Sequence, residues 1–215
     1  IKDDWFVAGM SGTGSKSVLL DNVFVPTHRA TLFSEFFGAR PRSPEVNEGS
    51  VYRADFHMFA GTAMLGPIVG TAEGALQLIK EIIIEGDSRL DRHDTAVQLL
   101  VAESAAEVST AVCLLNRILE RQNYYASRDL PATGADRLTL LQDRTFATRL
   151  CTRAIERLVN ELDLRNLLTE HPVQRQSRDL AAMAQQVGVN WDRNMSSCGQ
   201  KLVGLKSNEA FLNVE

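Results

Sequence analysis

The sequence predicts a mainly helical protein, in which a C-terminal up-down four-helix bundle follows part of a β domain. The chain has 215 residues, 44% of them hydrophobic, and a net charge of -4, as in a folded globular protein. After residue 53, apolar residues recur every three or four positions in four long stretches, whereas residues 1–29 form short apolar runs bounded by glycine and proline. We therefore predict a β segment (1–29), a linker or long loop (30–52) and a helical bundle domain (53–215).

The β segment contains two candidate strands, over residues 4–9 and 17–25, and Pro26 closes the second. Between them, residues 10–16 (MSGTGSK) include glycines that permit left-handed backbone in a tight turn. Exposed amides and hydroxyls in such a loop also suit a phosphate, but the P-loop spacing is lacking and no helix follows. The pattern favours a hairpin turn and leaves phosphate binding as the alternative.

Four helices are predicted for the rest of the chain, over residues 55–85, 94–122, 135–168 and 173–205. The middle two carry apolar seams typical of a bundle. Their seam residues are Val101, Ala105, Val108, Val112, Leu115 and Leu119, then Leu140, Ala147, Cys151, Ala154, Leu158 and Leu162.

Glycine and proline distinguish the first predicted helix. Gly66, Gly70 and Gly74 recur every four residues and form a bare stripe, which indicates close approach of a neighbouring helix or of a flat ligand. Pro67 predicts a kink or a later start of the helix, because proline lacks the backbone donor.

The last predicted helix opens with residues 171–179 (HPVQRQSRD), where charged side chains lie at the start of an apolar helix. Burying such charges is costly unless they are paired or face a ligand. We expect Arg175, Arg178 and Asp179 to form an ion-paired helix entrance that positions a pocket.

Several function classes find no support in the sequence. The mild acidity gives no electrostatic reason to bind nucleic acid or an anionic membrane surface, and no apolar run reaches the roughly 18 residues of a spanning helix. The three cysteines are far apart in apolar helical contexts, which indicates buried free thiols in a reducing cytoplasm. The cysteines and histidines lack metal-ligand spacing, and no histidine lies in a nucleophile-elbow context.

Several stretches, taken in order, resemble the C-terminal half of the acyl-CoA dehydrogenase superfamily. They are residues 5–16 (WFVAGMSGTGSK), 21–26 (DNVFVP), 65–75 (LGPIVGTAEGA), 97–103 (VQLLVAE) and 172–179 (PVQRQSRD). The resemblance implies that residues 1–29 end a middle β domain and that an N-terminal half precedes this chain in a longer protein.

Within the superfamily, residues 12–16 (GTGSK), 52–56 (YRADF), 189–194 (VNWDRN) and 204–205 (GL) resemble the flavin-dependent monooxygenases. Those enzymes receive reduced FMN, or in some cases FADH2, from a separate flavin reductase. With oxygen they form a C4a-hydroperoxide and hydroxylate phenols or related small molecules. The resemblance thus implies the oxygenase component of a two-component system that forms a homotetramer.

Two alternatives stay open, an FAD-dependent acyl-CoA dehydrogenase and a non-catalytic protein on the same scaffold. Acyl-CoA dehydrogenases of the short-chain type often carry a catalytic glutamate about eight residues after the Arg-Asp pair, where it removes an α-proton. Residues 184–188 (AQQVG) contain no carboxylate at that place, which argues against a dehydrogenase.

The resemblance also implies a set of site residues. Arg53 matches an arginine with a catalytic and flavin-binding role, in which a guanidinium near the flavin stabilises the anionic reduced ring. Phe56 matches an aromatic residue that lines the substrate pocket. Arg89 matches an arginine that reaches the cofactor of a neighbouring subunit. Arg165 and Asn166 are the candidate contacts to a cofactor phosphate.

Two departures qualify this assignment. Gln186 occupies the catalytic position at which hydroxylating relatives usually have a histidine, and glutamine cannot take up a proton at neutral pH. Residues 162–166 (LDLRN) replace a glycine-containing turn that lets flavin approach the backbone. These changes leave room for N- or S-oxidation, or for a divergent flavin site.

Overall fold

A computed structural model describes residues 1–30, residue 32 and residues 48–213, and it is mainly helical, as the sequence predicts. The described residues form five α-helices where four were predicted. They are α1 (Phe56–Glu85), α2 (Thr95–Arg128), α3 (Gly134–Val159), α4 (Pro172–Met183) and α5 (Trp191–Leu202). Short 3-10 turns at Ser50–Arg53, Leu164–Leu167 and Ala210–Leu212 lie before α1, before α4 and after α5.

Side-chain caps fix where the helices begin, because they accept hydrogen bonds from first-turn amides that have no partner within the helix. Asp55 accepts from two amides at the start of α1, and Asp94 and Thr133 cap α2 and α3. His171 caps α4, and Pro172 follows at the first helical position.

Pro67 neither starts nor ends a helix, since α1 runs through it from Phe56 to Glu85. Proline removes the donor to the carbonyl four residues earlier, at Ala63. Both Pro67 and Ala63 are exposed to solvent, so water can serve the carbonyl that loses its partner.

The helices pack around one large apolar cluster. Its fully buried members include Leu65, Ile79, Ile118, Ile155 and Leu158. The seam of α3 is buried as predicted, whereas in α2 the outermost seam residue, Leu119, is 47% exposed. Of the cysteines, Cys151 and Cys198 are buried, but Cys113 is exposed, contrary to the prediction.

Ion pairs clamp α2 to α3. The buried carboxylate of Glu107 binds both Arg153 and Arg157, and Asp143 accepts two hydrogen bonds from Arg117. By length and composition, α2 would also suit a membrane span, with a mean hydropathy of 1.4 in its most apolar 18 residues. The charged side chains of Glu107 and Arg117 on this helix are bonded to α3.

The prediction of one last helix over residues 173–205 is wrong. The helix α4 ends at Met183, and α5 begins at Trp191, where the side chain of Asn190 accepts a hydrogen bond from the Arg193 amide. The third helix likewise ends at Val159 and not at residue 168, because a turn and a 3-10 segment follow.

The strands predicted over residues 4–9 and 17–25 are not formed in this structure. A strand requires a ladder of backbone hydrogen bonds with a partner, and the one backbone bond that joins the described residues around these segments runs from Lys2 N, outside the first segment, to Ser17 O. Their apolar side chains are largely exposed, Phe24 to 86% and Phe6 to 82%. Most of the predicted linker lies outside the described residues.

Segment 5–10 is nevertheless bound to α4. The Met10 amide donates to Asp179 Oδ1 at 2.6 Å, and Arg178 Nη1 donates to the Ala8 carbonyl at 3.0 Å. A Cβ on Gly9 would overlap the Arg178 carbonyl, so only glycine fits between segment and helix. Arg178 and Asp179 therefore bind backbone groups rather than each other, and Arg175 is exposed.

Candidate functional site

Five of the six predicted site residues fall at two ends of the helical part of the molecule. We call the part formed by residues 50–61, 122–137 and 207–213 the entry end, and the part formed by residues 85–95 and 159–171 the far end. Arg53 and Phe56 lie at the entry end, whereas Arg89, Arg165 and Asn166 lie at the far end. The 30 residues of α1 separate them by roughly 45 Å at about 1.5 Å per residue.

At the entry end, Arg53 has no ion pair among the described residues. Its Nε donates to the Ala126 carbonyl at 3.3 Å, and its Nη1 donates to the Glu48 carbonyl at 3.2 Å. Neutral carbonyls leave its positive charge uncompensated, so this guanidinium suits an anionic partner. Phe56, the first residue of α1, follows Arg53 by three positions in the sequence and is half-buried.

At the far end, the arginines are already engaged by carboxylates. Arg89 Nε donates to the Glu161 carbonyl at 3.1 Å, with the Glu161 carboxylate at 3.9 Å. Arg165 lies 3.1 Å from Asp87 and 3.6 Å from Asp163. A phosphate here would have to compete with these acidic groups, which disfavours the phosphate contact predicted for Arg165.

Asn166 is buried, with 2% of its surface exposed, and its Oδ1 has no hydrogen-bond partner in the described structure. A free amide oxygen is an acceptor, so it suits a donor such as an N–H group or a hydroxyl. Its geometry therefore favours a role other than the direct phosphate contact through Oδ1.

The loop between α4 and α5, residues 184–190, carries Gln186. The Gln186 Oε1 accepts a hydrogen bond from the Gly188 amide at 2.6 Å, which fixes the side chain within its own loop. A Cβ on Gly188 would lie 3.3 Å from the Gly61 Cα, so the loop packs tightly on α1. Gln186 is thus held against the part of α1 that follows Phe56.

Gly61 and Gly188, and of the predicted stripe only Gly74, are the glycines at which another element closely approaches α1. A Cβ on Gly66 or Gly70 would meet nothing within 4 Å, and one on Gly74 would meet the Gln176 side chain at 3.2 Å. A stripe at helical spacing therefore did not reveal the packed face of α1.

A groove of about 490 Å³ opens between α3, α4 and α5, on the side of the loop that carries Gln185. Arg149 lies over the Trp191 ring, with its guanidinium carbon 5.3 Å from the ring centroid. The groove is also lined by Thr145, Thr148, Thr152, Ser177, Asn190 and Asp192. Its volume suits a small molecule, and its polar lining suits hydrogen bonding.

Arg144 is a residue that the sequence analysis missed. It is 6% exposed, and a Cβ on Gly61 would overlap its guanidinium. Position 144 lies four residues after Leu140 and three before Ala147, so the α3 seam itself places this charge in the core. That coincidence of a charged residue with a seam position was the available signal.

The comparisons with known proteins identify the family. The model of the acyl-CoA dehydrogenase C-terminal domain matches residues 62–191, more than half of the chain. The chain belongs to this family. Its match includes most of α1, all of α2, α3 and α4, and the loop with Gln186.

Several relatives are oxygenases by name. The chain is 29% identical over 220 residues to the oxygenase component of an FADH2-dependent resorcinol hydroxylase from Rhizobium sp. (strain MTP-10005), covering 96% of this chain and 54% of the relative. A 3-HSA hydroxylase structure from Rhodococcus sp. RHA1 superposes with a TM-score of 0.85 at 26% identity, covering 98% of this chain and 54% of that one. The chain spans about half the length of the curated relatives it matches.

A third structure, XiaF from Streptomyces sp. in complex with FADH2 and glycerol, has a TM-score of 0.86. It covers 97% of this chain and 54% of that protein. At 19% identity it supports the fold alone.

Proposed function

We propose that this chain is the C-terminal part of the oxygenase component of a two-component flavin-dependent monooxygenase. The intact protein would take reduced FMN from a partner flavin reductase, use oxygen and hydroxylate an aromatic or related small molecule. The observation that carries the proposal is the match over nearly the whole chain to relatives named as flavin-dependent hydroxylases. FAD is the alternative flavin.

The loop chemistry supports oxygenation over dehydrogenation. Removing an α-proton from an acyl group requires a base within hydrogen-bond reach. Residues 184–190 hold amides and no carboxylate, and the Gln186 side chain is engaged by the Gly188 amide. An FAD-dependent acyl-CoA dehydrogenase is the second candidate, because the family model carries that name.

The separation of the two ends supports an oligomer, for which we propose a homotetramer. Arg53 and Arg89 lie at opposite ends of α1, farther apart than the length of one flavin mononucleotide. A single copy therefore cannot use both on one flavin, whereas a second copy can bring its far end to the entry end of the first.

We further propose that residues 1–29 complete a β domain whose other strands lie outside residues 1–215. The exposed apolar side chains of this segment require a cover, since a contiguous apolar surface in water is unfavourable. Its most exposed members are Phe6, Val18, Leu19, Leu20, Val23 and Phe24.

The test is anaerobic titration of the intact protein with reduced FMN and reduced FAD, followed by oxygen and a panel of phenols. We expect reduced flavin to bind and hydroxylated product to form. Arg53→Ala should weaken reduced-flavin binding about tenfold or more, because a charge-assisted hydrogen bond is lost.

Arg128→Ala is the matched control, since Arg128 lies at the same end but stacks on Tyr124 with 4.3 Å between its guanidinium carbon and the ring centroid. Equal affinity of Arg53→Ala and wild type would make Arg53 structural. Protein that is purified with stoichiometric FAD and is reduced by acyl-CoA would favour the dehydrogenase instead.

A further inference from the structure

The charge balance around Arg144 is unusual for a protein interior. The Arg144 Nη1 donates to the His57 carbonyl at 2.7 Å, and its Nε is buried without a hydrogen-bond partner. No carboxylate among the described residues lies within 4 Å of it. A buried guanidinium is ordinarily paired, because removing a charge from water is costly.

Two acidic groups whose charges act on Arg144, Asp55 and Glu209, are already neutralised by other arginines. Asp55 lies 2.6 Å from Arg137 Nη2, and Glu209 lies 2.7 Å from Arg193 Nε. Each carboxylate therefore has its own cation, and Arg144 contributes a net positive charge to the region.

The remaining ionisable group beside Arg144 does not supply a negative charge. Burial raises the pKa of the Cys198 thiol to about 11, although Arg144 acts in the opposite direction. The thiol is therefore protonated at neutral pH. Burial also lowers the pKa of Arg144, to about 10, which leaves the guanidinium charged at neutral pH.

Only two glycines separate this charge from Gln186. The guanidinium fills the space where a Gly61 side chain would be, and a Cβ on Gly188 would meet the Gly61 Cα at 3.3 Å and Gln186 Oε1 at 2.8 Å. Neither glycine carries a side chain to screen the field. Arg144 thus places a fixed positive charge in the wall behind the loop 184–190.

We propose that Arg144 is a positioning residue that makes the Gln186 side of the site favour an anionic oxygen, so that a phenol binds there in its ionised form. The inference rests on the proposed function, because it assumes that the substrate binds beside this loop. A positive charge in the wall stabilises a phenolate without a base that accepts its proton, and Gln186 cannot act as such a base. The expected effect is about one pH unit for a charge at roughly 10 Å and an effective dielectric constant of about 20.

The probe is 4-nitrophenol, whose ionised form is yellow and titrates near neutral pH. Its absorbance is followed against pH in the presence of saturating intact protein, and the midpoint is compared with that of the free compound. We expect the wild-type protein to lower the midpoint and Arg144→Met to raise it by about one pH unit relative to wild type. Arg144→Lys should retain most of the shift, because it keeps a positive charge at the position.

Arg117→Met combined with Asp143→Asn is the matched control, because it removes an ion pair without changing the net charge near Arg144. Arg117 binds Asp143, the residue adjacent to Arg144, but it lies on α2 and is 59% exposed. The double variant should leave the nitrophenol midpoint unchanged although an ion pair is lost. A loss of the shift in both variants would assign it to general loosening of α3 and overturn the proposal.

An equal midpoint for wild type and Arg144→Met would overturn the proposal, as would failure of 4-nitrophenol to bind to protein that binds reduced flavin. Reduced-flavin binding is measured separately on the same samples. If reduced flavin does not bind while the Arg144-dependent shift is present, the proposed function fails and the anion preference stands.

Discussion

Buried charges are paired at one place in the described part of this molecule and unpaired at another. The paired charges lie between α2 and α3, and the unpaired charge is that of Arg144 beside Gly61. On the α2–α3 face, Glu107 is 7% exposed and is bound by both Arg153 and Arg157. Arg144 is equally buried, yet its guanidinium donates to a neutral carbonyl and pairs with no carboxylate among the described residues. The paired charges hold α2 and α3 together, whereas the unpaired charge of Arg144 is available to attract a bound anionic group.

The largest change in the free energy of unfolding is expected for the paired carboxylate, Glu107. Glu107→Gln should lower the free energy of unfolding by about 3 kcal/mol, because two arginines lose their shared carboxylate and the amide carries no charge. Urea unfolding measures it. Glu103→Gln is the control, since Glu103 is 64% exposed and pairs with Arg157 but with no second arginine in the described part of the chain, and it should cost less than about 1 kcal/mol. Equal losses would mean that burial of Glu107 is unimportant.

Stability at low pH also tests whether the Glu107 carboxylate is held by its two arginines. Burial alone raises the pKa of Glu107, but hydrogen bonds and charges from Arg157 and Arg153 outweigh it and hold the pKa below its ordinary value of 4.5. A lowered carboxyl pKa stabilises the folded state above the unfolded-state pKa, and this contribution disappears as pH falls through the folded-state pKa. Below pH 4.5 the wild type should therefore lose more stability than Glu107→Gln. Parallel curves for the two proteins would contradict this assignment.

A smaller effect is expected where the unpaired arginine meets α1. Gly61→Ala should cost about 2 kcal/mol, because the new methyl group overlaps the Arg144 guanidinium. Much of this cost should disappear in an Arg144→Met background, which a double-mutant cycle measures as coupling. Gly66→Ala lies on the same helix in open space and should stabilise by up to about 1 kcal/mol. Additive effects of Gly61→Ala and Arg144→Met would show that the two side chains do not compete for space.

The smallest change in stability is expected for Arg144→Met. It should alter the free energy of unfolding by less than about 1 kcal/mol, because no ion pair is broken and an apolar side chain of similar length enters the core. Arg137→Met, on the same helix, should cost more because it removes the partner of Asp55. A loss for Arg144→Met as large as that of Glu107→Gln would mean that Arg144 stabilises the fold as much as the ion-paired Glu107 does.

The sequence predicted the helices well where local rules decide them. The starts of α1 and α2 follow from Asp55 and Asp94, whose side chains accept amide hydrogen bonds one turn ahead of the apolar pattern. Of the two outcomes predicted for Pro67, the later helix start is wrong, because a missing donor on the solvent face costs little, and periodicity alone does not show which face meets water.

Where tertiary contacts decide, the sequence was insufficient. The apolar pattern continues from α4 into α5, and only the packing of Gly188 on Gly61 shows that the chain leaves the helix between them. The family resemblance supplied candidate site residues, but it did not distinguish Arg53, which has no ion pair in the described chain, from Arg165, which has two. Ion pairing depends on residues far away in sequence, such as Asp87 for Arg165.

The attachment of segment 5–10 to α4 has a consequence for the order of folding. The bond from the Met10 amide to Asp179 joins residues 169 positions apart, so its formation closes nearly the whole chain into a loop. Closing so long a loop has a high entropic cost, which contacts between neighbouring helices do not incur. The helices should therefore assemble before the N-terminal segment attaches. In hydrogen exchange, the Met10 amide should open well before the amides of α1 and α3.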